Sequence, residues 1–395
     1  MSRSPRPRFP DPVLITDSRA LAELCERLAG ERFVTVDTEF MRERTYWPEL
    51  CVVQLAGERE VAVIDALAAG LDLAPLAALF DNPAVTKVFH AARQDLEIFL
   101  HIFGRLPNPL FDTQVAAMVA GFGDQVGYDG LVGSLTGGQI DKANRFSDWS
   151  ARPLTAAQIA YAAADVTWLR EVYTRLLARL AADGRADWVA QDMAALAQPT
   201  TYRPDPFTLW EKLRPRTGNR RMLAVLRALA AWRELEAQKI DIPRQRLLKD
   251  EALLEIAATL PSDAAALTRV RGVGRGFAEG RHGAALLAAM QDTLATPEGE
   301  WPAPARNKDG PRPSPALVAL LKVLLAANAE AHGVAPKLLA NAEDIDRLAT
   351  EDHPDIAALH GWRFELYGRD ALALKSGERA LAVDGRKIVL VARPS

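Results

Sequence analysis

Cysteine is scarce in this chain, since Cys25 and Cys51 are the only two among 395 residues. Two thiols cannot build a disulfide framework or a cysteine-based zinc site, and we expect both to be packed thiols in a reducing compartment. The chain also lacks an uninterrupted apolar run of the ~20 residues that a membrane span requires. Residues 1–12 are rich in arginine and proline and lack the apolar core of a signal peptide. These absences predict a cytoplasmic protein without a membrane partner.

An overall positive charge, which is typical of nucleic-acid-binding domains, is also missing, because the formal net charge is −3. The charge is nevertheless unevenly distributed. Residues 201–250 contain 12 Lys or Arg and 6 Asp or Glu, a net charge of +6 that leaves −9 for the rest of the chain. Phosphate binding needs only a local positive field, so the composition does not exclude a nucleic acid. A solvated basic helix face is the alternative.

The length of 395 residues, 49% of them hydrophobic, predicts two or three cores, because a single core stops growing near ~250 residues. Strand-like and helix-like segments alternate in the first half, which predicts an α/β domain with a mixed sheet. Long amphipathic patterns in the second half predict two small all-α helical domains.

Two carboxylates interrupt a strand-like run, Phe-Val-Thr-Val-Asp-Thr-Glu-Phe at residues 33–40. Side chains alternate along a strand, so Asp37 and Glu39 point to the same face. They repel each other unless a cation lies between them or one is protonated. A divalent metal with oxygen ligands removes this repulsion and favours a phosphate-handling site. The alternative is an edge strand with a solvated acidic face.

A predicted helix at residues 91–103 carries Asp95 one turn from its start, among mostly apolar neighbours. This pattern indicates a partly buried carboxylate, which needs a partner. Periodicity alone does not separate Asp95 from Asp112 or Glu97 as the functional acid, and an exposed helix position remains the alternative.

A second predicted helix, residues 154–177, begins at Thr155 in capping-box spacing with Gln158. It places Tyr161 and Asp165 four residues apart, one turn apart on the same face. The three alanines between them leave room for a substrate or another backbone. The alternative is an ordinary core tyrosine beside a solvated aspartate.

Three ordered motifs closely resemble those of the DEDDy exonucleases and, within that group, the ribonuclease D family. They are Val-Asp-Thr-Glu-Phe at 36–40, His-Ala-Ala-Arg-Gln-Asp at 90–95 and Tyr-Ala-Ala-Ala-Asp at 161–165. Phe-Asp-Thr at 111–113 and Ser-Asp-Trp-Ser-Ala-Arg-Pro-Leu-Thr at 147–155 extend the likeness. The resemblance implies a ribonuclease H-like α/β exonuclease domain at residues 12–200.

The resemblance also implies phosphodiester hydrolysis with two divalent metal ions, Mg²⁺ or Mn²⁺. Asp37 would bridge the ions, Glu39 and Asp165 would complete the water-activating site, and Asp95 would hold the second ion. Tyr161 would orient the attacking water, because an unperturbed phenol titrates near pH ~10 and is a poor base. Hard oxygen ligands favour these ions over zinc.

Four residues beside the acids are candidate substrate-binding residues: Phe40, Met41, His90 and Phe99. Phe40, Met41 and Phe99 could stack on or wedge apart the terminal bases, with ordinary core packing as the alternative. His90 fits a hydrogen-bonding neighbour of the site better than a metal ligand. Lys142 and the loop 145–149 could border a groove.

Residues 208–293 resemble the helicase-and-ribonuclease-D C-terminal (HRDC) domain. Residues 312–395 echo the same helical pattern and end in a predicted hairpin at Asp384-Gly385. The first of these two domains carries basic residues that could contact backbone phosphates without reading sequence. They are Arg214, Arg216, Arg220, Arg221, Arg244, Arg246 and Lys249.

The sequence therefore predicts a monomeric 3′-to-5′ exoribonuclease that trims RNA 3′ ends and releases nucleoside 5′-monophosphates. Precursor tRNA is the substrate class that the resemblance implies. One alternative is a DNA 3′-5′ exonuclease of the same group. Another is a catalytically idle RNA-binding scaffold, which is disfavoured because all four carboxylates and Tyr161 are present.

Overall fold

The computed structural model describes residues 10–215, 217–303 and 313–393. Within these ranges, residues 10–39, 51–198 and 313–393 form one compact unit, and residues 40–50 with 199–303 form a second. Arg216 and the predicted domain start at residue 312 lie outside the described residues. The predicted boundaries of the three domains stay predictions.

A six-stranded mixed sheet lies at the centre of the first unit. Its strands are β1 Val13–Ile15, β2 Phe33–Met41, β3 Glu49–Ala56, β4 Val61–Asp65, β5 Thr86–Phe89 and β6 Leu110–Asp112. The spatial order is β1-β4-β3-β2-β5-β6, with β2 near the middle. β3 and β4 pair antiparallel, whereas β1 with β4, β2 with β5 and β5 with β6 pair parallel. The predicted mixed sheet is confirmed.

Seven helices belong to residues 10–198 of this unit. They are α1 Ser18–Leu28, α2 Ala74–Asp81, α3 Arg93–Phe103, α4 Thr113–Val119, α5 Tyr128–Thr136, α6 Ala156–Ala182 and α7 Ala186–Leu196. The capping box of Thr155 and Gln158 is present at the start of α6, which runs five residues beyond the predicted end at 177. α3 begins two residues later than predicted, because Ala91 adopts a left-handed conformation with φ +58°.

Helix α6 is fixed against the sheet by buried contacts. The Thr35 hydroxyl, on β2, donates a 2.7 Å hydrogen bond to the carbonyl of Val166. One turn further on, Leu169 and Tyr173 pack against Val88 of β5. These contacts hold α6 across β2, so that the two halves of the predicted site meet.

The second unit is a bundle of helices. They are α8 Arg220–Lys239, α9 Arg244–Leu247, α10 Asp250–Thr259, α11 Ala264–Thr268, α12 Arg275–Ala278 and α13 Arg281–Ala295. Its core joins the apolar faces of the longer helices, with Leu226, Leu253 and Leu286 fully buried. The segment 40–50 groups with this bundle, where the backbone amides of Tyr46 and Trp47 each donate a 3.0 Å hydrogen bond to Asp241.

The remaining helices and the hairpin complete the first unit. They are α14 Pro315–His332, α15 Pro336–Leu339, α16 Ala342–Thr350, α17 Gly361–Arg363 and α18 Arg369–Ser376, then β7 Arg379–Asp384 and β8 Lys387–Ala392. The predicted hairpin is present, with Gly385 at φ +60° in its turn. These helices pack on α7, where Trp188 stacks on Trp362 and Arg363 binds Asp192 at 2.5 Å. In the described part of the chain, α14 is the one helix long and apolar enough to cross a membrane. A single helix of this kind is weak evidence for a membrane span.

Candidate active site

Three carboxylates from two elements converge as the sequence predicts. Asp37 and Glu39 project from one face of β2, and Asp165 projects from α6. One carboxylate oxygen from each lies within 4.8 Å of the others. Two of these three positions follow from the period of a strand, and the third depends on α6 crossing that strand.

Burial and mutual repulsion raise the pKa values of these carboxyls. Burial and the nearby Asp165 raise the pKa of Asp37 well above its ordinary value. Burial and the other carboxylates raise the pKa of Glu39 to about 10. Burial raises the pKa of Asp165 to about 7, while a hydrogen bond from Tyr161 and the charge of Arg145 oppose that rise. The three groups therefore cannot all be ionised at neutral pH without a compensating cation.

The donor set fits a divalent cation. Buried Asp165 and half-buried Asp37 and Glu39 supply hard oxygen ligands within 4.8 Å of one another, and a cation among them would stabilise their ionised forms. Mg²⁺ and Mn²⁺ accept such ligands, and zinc sites usually include nitrogen or sulfur.

Asp95 lies beside this trio rather than within it. Its side chain is 6% exposed and accepts a hydrogen bond from the Thr38 hydroxyl, on the strand between Asp37 and Glu39. Burial and the charge of Asp37 raise the pKa of Asp95 well above its ordinary value. The expectation of a buried carboxylate with a partner holds, and the partner is a threonine that the sequence pattern did not single out.

Tyr161 lies one turn before Asp165 and donates a hydrogen bond to its carboxylate. Burial and the charges of Asp165, Glu39 and Asp37 raise the pKa of Tyr161 far above its ordinary value. The phenol is therefore neutral throughout the physiological range. Its ring lies beside Trp149, with the ring centroids 6.0 Å apart.

A cavity of about 280 Å³ opens beside Asp37, Tyr161 and Asp165. Gln114 and Tyr128 are among the lining residues that sequence reasoning missed. The Tyr128 hydroxyl donates a hydrogen bond to the backbone carbonyl of Asp165, which no spacing along the chain indicates. Gln114 directly follows the Phe-Asp-Thr motif at 111–113, and Tyr128 lies in a segment for which no motif was identified.

The loop before α6 brings positive charge to the cavity. From its polar and aromatic residues we expected this loop to border a groove. Arg145 lines the cavity, and its charge lowers the pKa values of Glu39 and Asp165. Its guanidinium lies 5.4 Å from the ring centroid of Phe146, which is 92% exposed. Lys142 also lines the cavity and binds Asp129 at 2.6 Å.

The four candidate substrate-binding residues have different surroundings. Phe40 and Met41 follow Glu39 on β2 and are half-buried. His90 lines the cavity with its Nδ1 3.0 Å from the Thr113 hydroxyl, and burial lowers the pKa of its ring. Phe99 is fully buried, with ring centroids 4.8 Å from Phe80 and 5.9 Å from Phe103. This position contradicts the predicted RNA contact of Phe99, and the core-packing alternative applies to it.

The basic residues of the second unit are partly available to phosphates. Five of the predicted residues are exposed: Arg214, Arg220, Arg221, Arg246 and Lys249. Arg244 is half-buried and bound to the buried carboxylate of Glu234 at 3.2 Å. Its charge is therefore already balanced within the bundle.

Without divalent cations, the protein is expected to lose thermal stability as the pH rises. The folded-state pKa of Asp165 is about 7 and that of Glu39 about 10, both above the ordinary carboxyl values. Between pH ~4 and these values the folded chain binds more protons than the unfolded chain, so the free energy of unfolding falls with rising pH. Thermal unfolding in EDTA should show a falling midpoint from pH 5 to pH 8. Added Mg²⁺ should raise the midpoint more at pH 8 than at pH 5.

The matched control is the double variant Asp37→Asn/Glu39→Gln, which removes two of the raised carboxyls. Its midpoint should depend less on pH and respond less to Mg²⁺. An unchanged pH slope in this variant would show that other groups cause the loss.

Comparison with known proteins assigns this chain to a family. Residues 12–181 match the 3′-5′ exonuclease family and residues 222–290 match the HRDC domain. The chain is 66% identical to ribonuclease D of Gluconacetobacter diazotrophicus over 98% of this chain and 99% of that protein. It is also 66% identical to ribonuclease D of Granulibacter bethesdensis, over 99% of each.

A solved structure agrees with this match. Escherichia coli RNase D, described as an exoribonuclease involved in structured RNA processing, is 32% identical with a TM-score of 0.80. The alignment covers 92% of this chain and 98% of that one. The predicted fold class, an α/β exonuclease domain followed by helical domains, is confirmed. The chain belongs to the ribonuclease D family and is a 3′-5′ exoribonuclease.

Proposed function

We propose that this exoribonuclease trims RNA 3′ ends with two divalent cations, Mg²⁺ or Mn²⁺, held by Asp37, Glu39, Asp95 and Asp165. The observation that carries the proposal is the convergence of three carboxylate oxygens within 4.8 Å, in a partly buried setting that raises their pKa values. Such a cluster is costly to fold unless cations compensate it. A catalytically idle scaffold would gain nothing that offsets this unfavourable contribution to its folding free energy.

When bound, the cations would supply Lewis-acid activation of a water and neutralise charge on the leaving 3′ oxygen. The chain's own groups would position the reactants. Tyr161 remains protonated and can donate one hydrogen bond while its oxygen accepts another, which suits the orientation of a water beside Asp165. Arg145 would attract the phosphate group, since it is the basic side chain whose charge reaches Glu39 and Asp165.

The cavity beside the acids would hold the terminal nucleotide. His90 and Tyr128 line it with rings whose centroids are 5.3 Å apart, and Phe40 and Met41 would contact bases from β2. Exposed Phe146 offers a further ring to an unpaired base, because aromatic rings stack on bases of any sequence. The proposed substrate is a single-stranded RNA 3′ end, with precursor tRNA as its natural class.

The helical modules at 208–293 and 312–395 would hold the body of the RNA, and the exonuclease domain at 12–200 would cut it. The exposed basic residues of the first module support this division, because phosphate contacts fix position without reading sequence. We further propose that the enzyme acts as a cytoplasmic monomer.

The test uses the full-length protein and three 5′-labelled substrates. They are a 3′-extended precursor tRNA, a single-stranded RNA and a DNA oligonucleotide of the same sequence as that RNA. With Mn²⁺ or Mg²⁺, both RNAs should shorten one nucleotide at a time, and chromatography should detect nucleoside 5′-monophosphates. EDTA should stop the reaction.

Each alternative has its own result. Binding of the RNA in a gel-shift assay without shortening, under all metal conditions, would favour the idle scaffold. Faster shortening of the DNA than of the matched RNA would favour a DNA exonuclease. Shortening of the single-stranded RNA but not of the precursor tRNA would remove precursor tRNA as the substrate class.

A further inference from the structure

A buried aspartate outside the acidic cluster binds the turn that leads to Asp95. Asp112 is 3% exposed and lies at the end of β6, where it pairs with Phe89 of β5. Its Oδ1 accepts the backbone amide of Ala91 at 3.0 Å, and its Oδ2 accepts that of Ala92 at 2.9 Å. The same Oδ1 accepts the amide of Gln114 at 2.7 Å.

These bonds make one carboxylate the cap of α4 and the anchor of the turn before α3. Asp112 is the N-cap of α4, which begins at the next residue. Ala92 occupies the N-cap position of α3 and has no side chain that can accept a hydrogen bond. Asp112 binds the backbone amides of Ala91 and Ala92, the two residues just before α3. Asp95 is the third residue of α3, and its position therefore depends on how this helix begins.

The turn that Asp112 holds has an unfavourable backbone conformation. Ala91 has φ +58°, a left-handed value that residues other than glycine seldom adopt. It also lines the cavity beside the acids. A left-handed alanine persists only where its surroundings fix it, and such residues concentrate at functional sites.

We propose that Asp112 is a positioning residue for Asp95, acting by holding the left-handed turn at Ala91. The inference rests on the proposed role of Asp95 in cation binding. The Asp112 carboxylate accepts hydrogen bonds from backbone amides of the turn and of α4, and through them it fixes the turn from which α3 starts. The Thr38 hydroxyl then meets Asp95 from the other side, which leaves the carboxylate with one defined orientation.

The first test variant is Asp112→Asn. Its amide oxygen can replace Oδ1, but its NH₂ group faces the Ala92 amide, so that two donors meet. We expect the Mn²⁺ concentration for half-maximal RNA trimming to rise about 10-fold or more and kcat to fall by a comparable factor, as for other groups that orient a metal ligand. KM for RNA should change little, and high Mn²⁺ should restore part of kcat.

A second variant alters the same turn from the other end. Ala91→Val places a β-branched side chain at a left-handed φ and should reproduce the raised Mn²⁺ requirement without touching Asp112. Ala91→Gly removes the backbone strain and, added to Asp112→Asn, should recover part of the loss. The matched control is Asp17→Asn, which makes the same change at the N-cap of α1, distant in sequence from the turn, and should leave the Mn²⁺ requirement unchanged.

The single variant Asp95→Asn, assayed beside Asp112→Asn, separates this inference from the function on which it rests. If Asp95→Asn is inactive and Asp112→Asn alone keeps the wild-type kcat and Mn²⁺ requirement, the inference is wrong and the proposed function stands. If Asp95→Asn trims RNA normally, the role of Asp95 fails and the inference fails with it. If Asp112→Asn does not fold, Ala91→Val carries the test, and a normal Mn²⁺ requirement in that variant overturns the inference.

Discussion

Replacing Asp37 by asparagine is expected to lower the rate of RNA trimming by at least about a thousandfold while the protein stays folded. Asp37 interacts with the other three carboxylates of the site. Its charge raises the pKa of Glu39 and the pKa of Asp95, and the charge of Asp165 raises the pKa of Asp37. A side chain in that place can serve both proposed cations at once. Charge stabilisation by a bound metal is worth several kcal/mol, and about 4 kcal/mol corresponds to a thousandfold change in rate.

The stability of the same variant gives an independent check. Because Asp37 is half-buried beside other carboxylates and its pKa is raised, asparagine should raise the thermal midpoint in EDTA, and the stabilisation by Mn²⁺ should largely disappear. Gel-shift affinity for RNA should persist in EDTA, since the exposed basic residues are unchanged. Asp187→Asn, an exposed aspartate on α7, is the matched control with normal activity. Trimming by Asp37→Asn at the wild-type rate would exclude this residue from the site.

Local periodicity accounts for the parts of the site that lie on one element. Asp37 and Glu39 share a face because side chains alternate along a strand, and Tyr161 and Asp165 share a face because they are four residues apart on a helix. The meeting of the two elements is not local. It depends on Thr35 bonding to Val166 across 131 positions, and the sequence indicated it only through the family resemblance.

Periodicity could not separate buried residues that have different roles. Asp95 and Asp112 are both buried, yet one faces the acids and the other binds backbone amides, and no pattern within either segment separates them. Phe99 lies on the same helix as Asp95 and could have faced RNA or the core. Its neighbours Phe80 and Phe103 decide for the core, and one of them belongs to another helix.

The shortest elements were missed for a related reason. β1 and β6 have three residues each, too few to show an alternating pattern. Each forms because a neighbour offers a ladder, β4 for the first and β5 for the second. The left-handed turn at Ala91 was equally invisible, because alanine is not a residue that predicts a positive φ.

Replacing Tyr161 by phenylalanine is expected to lower kcat about a hundredfold, the lower range for loss of a positioned proton-bearing group. The phenol donates a hydrogen bond to Asp165 and stays protonated, because burial and three carboxylates raise its pKa far above neutral. It can therefore orient a water but not remove its proton at neutral pH. The pH–rate profile of the variant should keep the shape of the wild-type profile, because no titration of Tyr161 is lost within the working range.

Tyr173→Phe is the matched control, since Tyr173 lies three turns further along α6 and its hydroxyl bonds to Thr86, away from the acids. This variant should trim RNA at nearly the wild-type rate. Mn²⁺ binding, measured by titration calorimetry, should be similar for both variants and the wild type. Trimming by Tyr161→Phe within twofold of the wild-type rate would contradict a water-orienting role. Loss of Mn²⁺ binding would instead mean that the phenol acts by holding Asp165 in place.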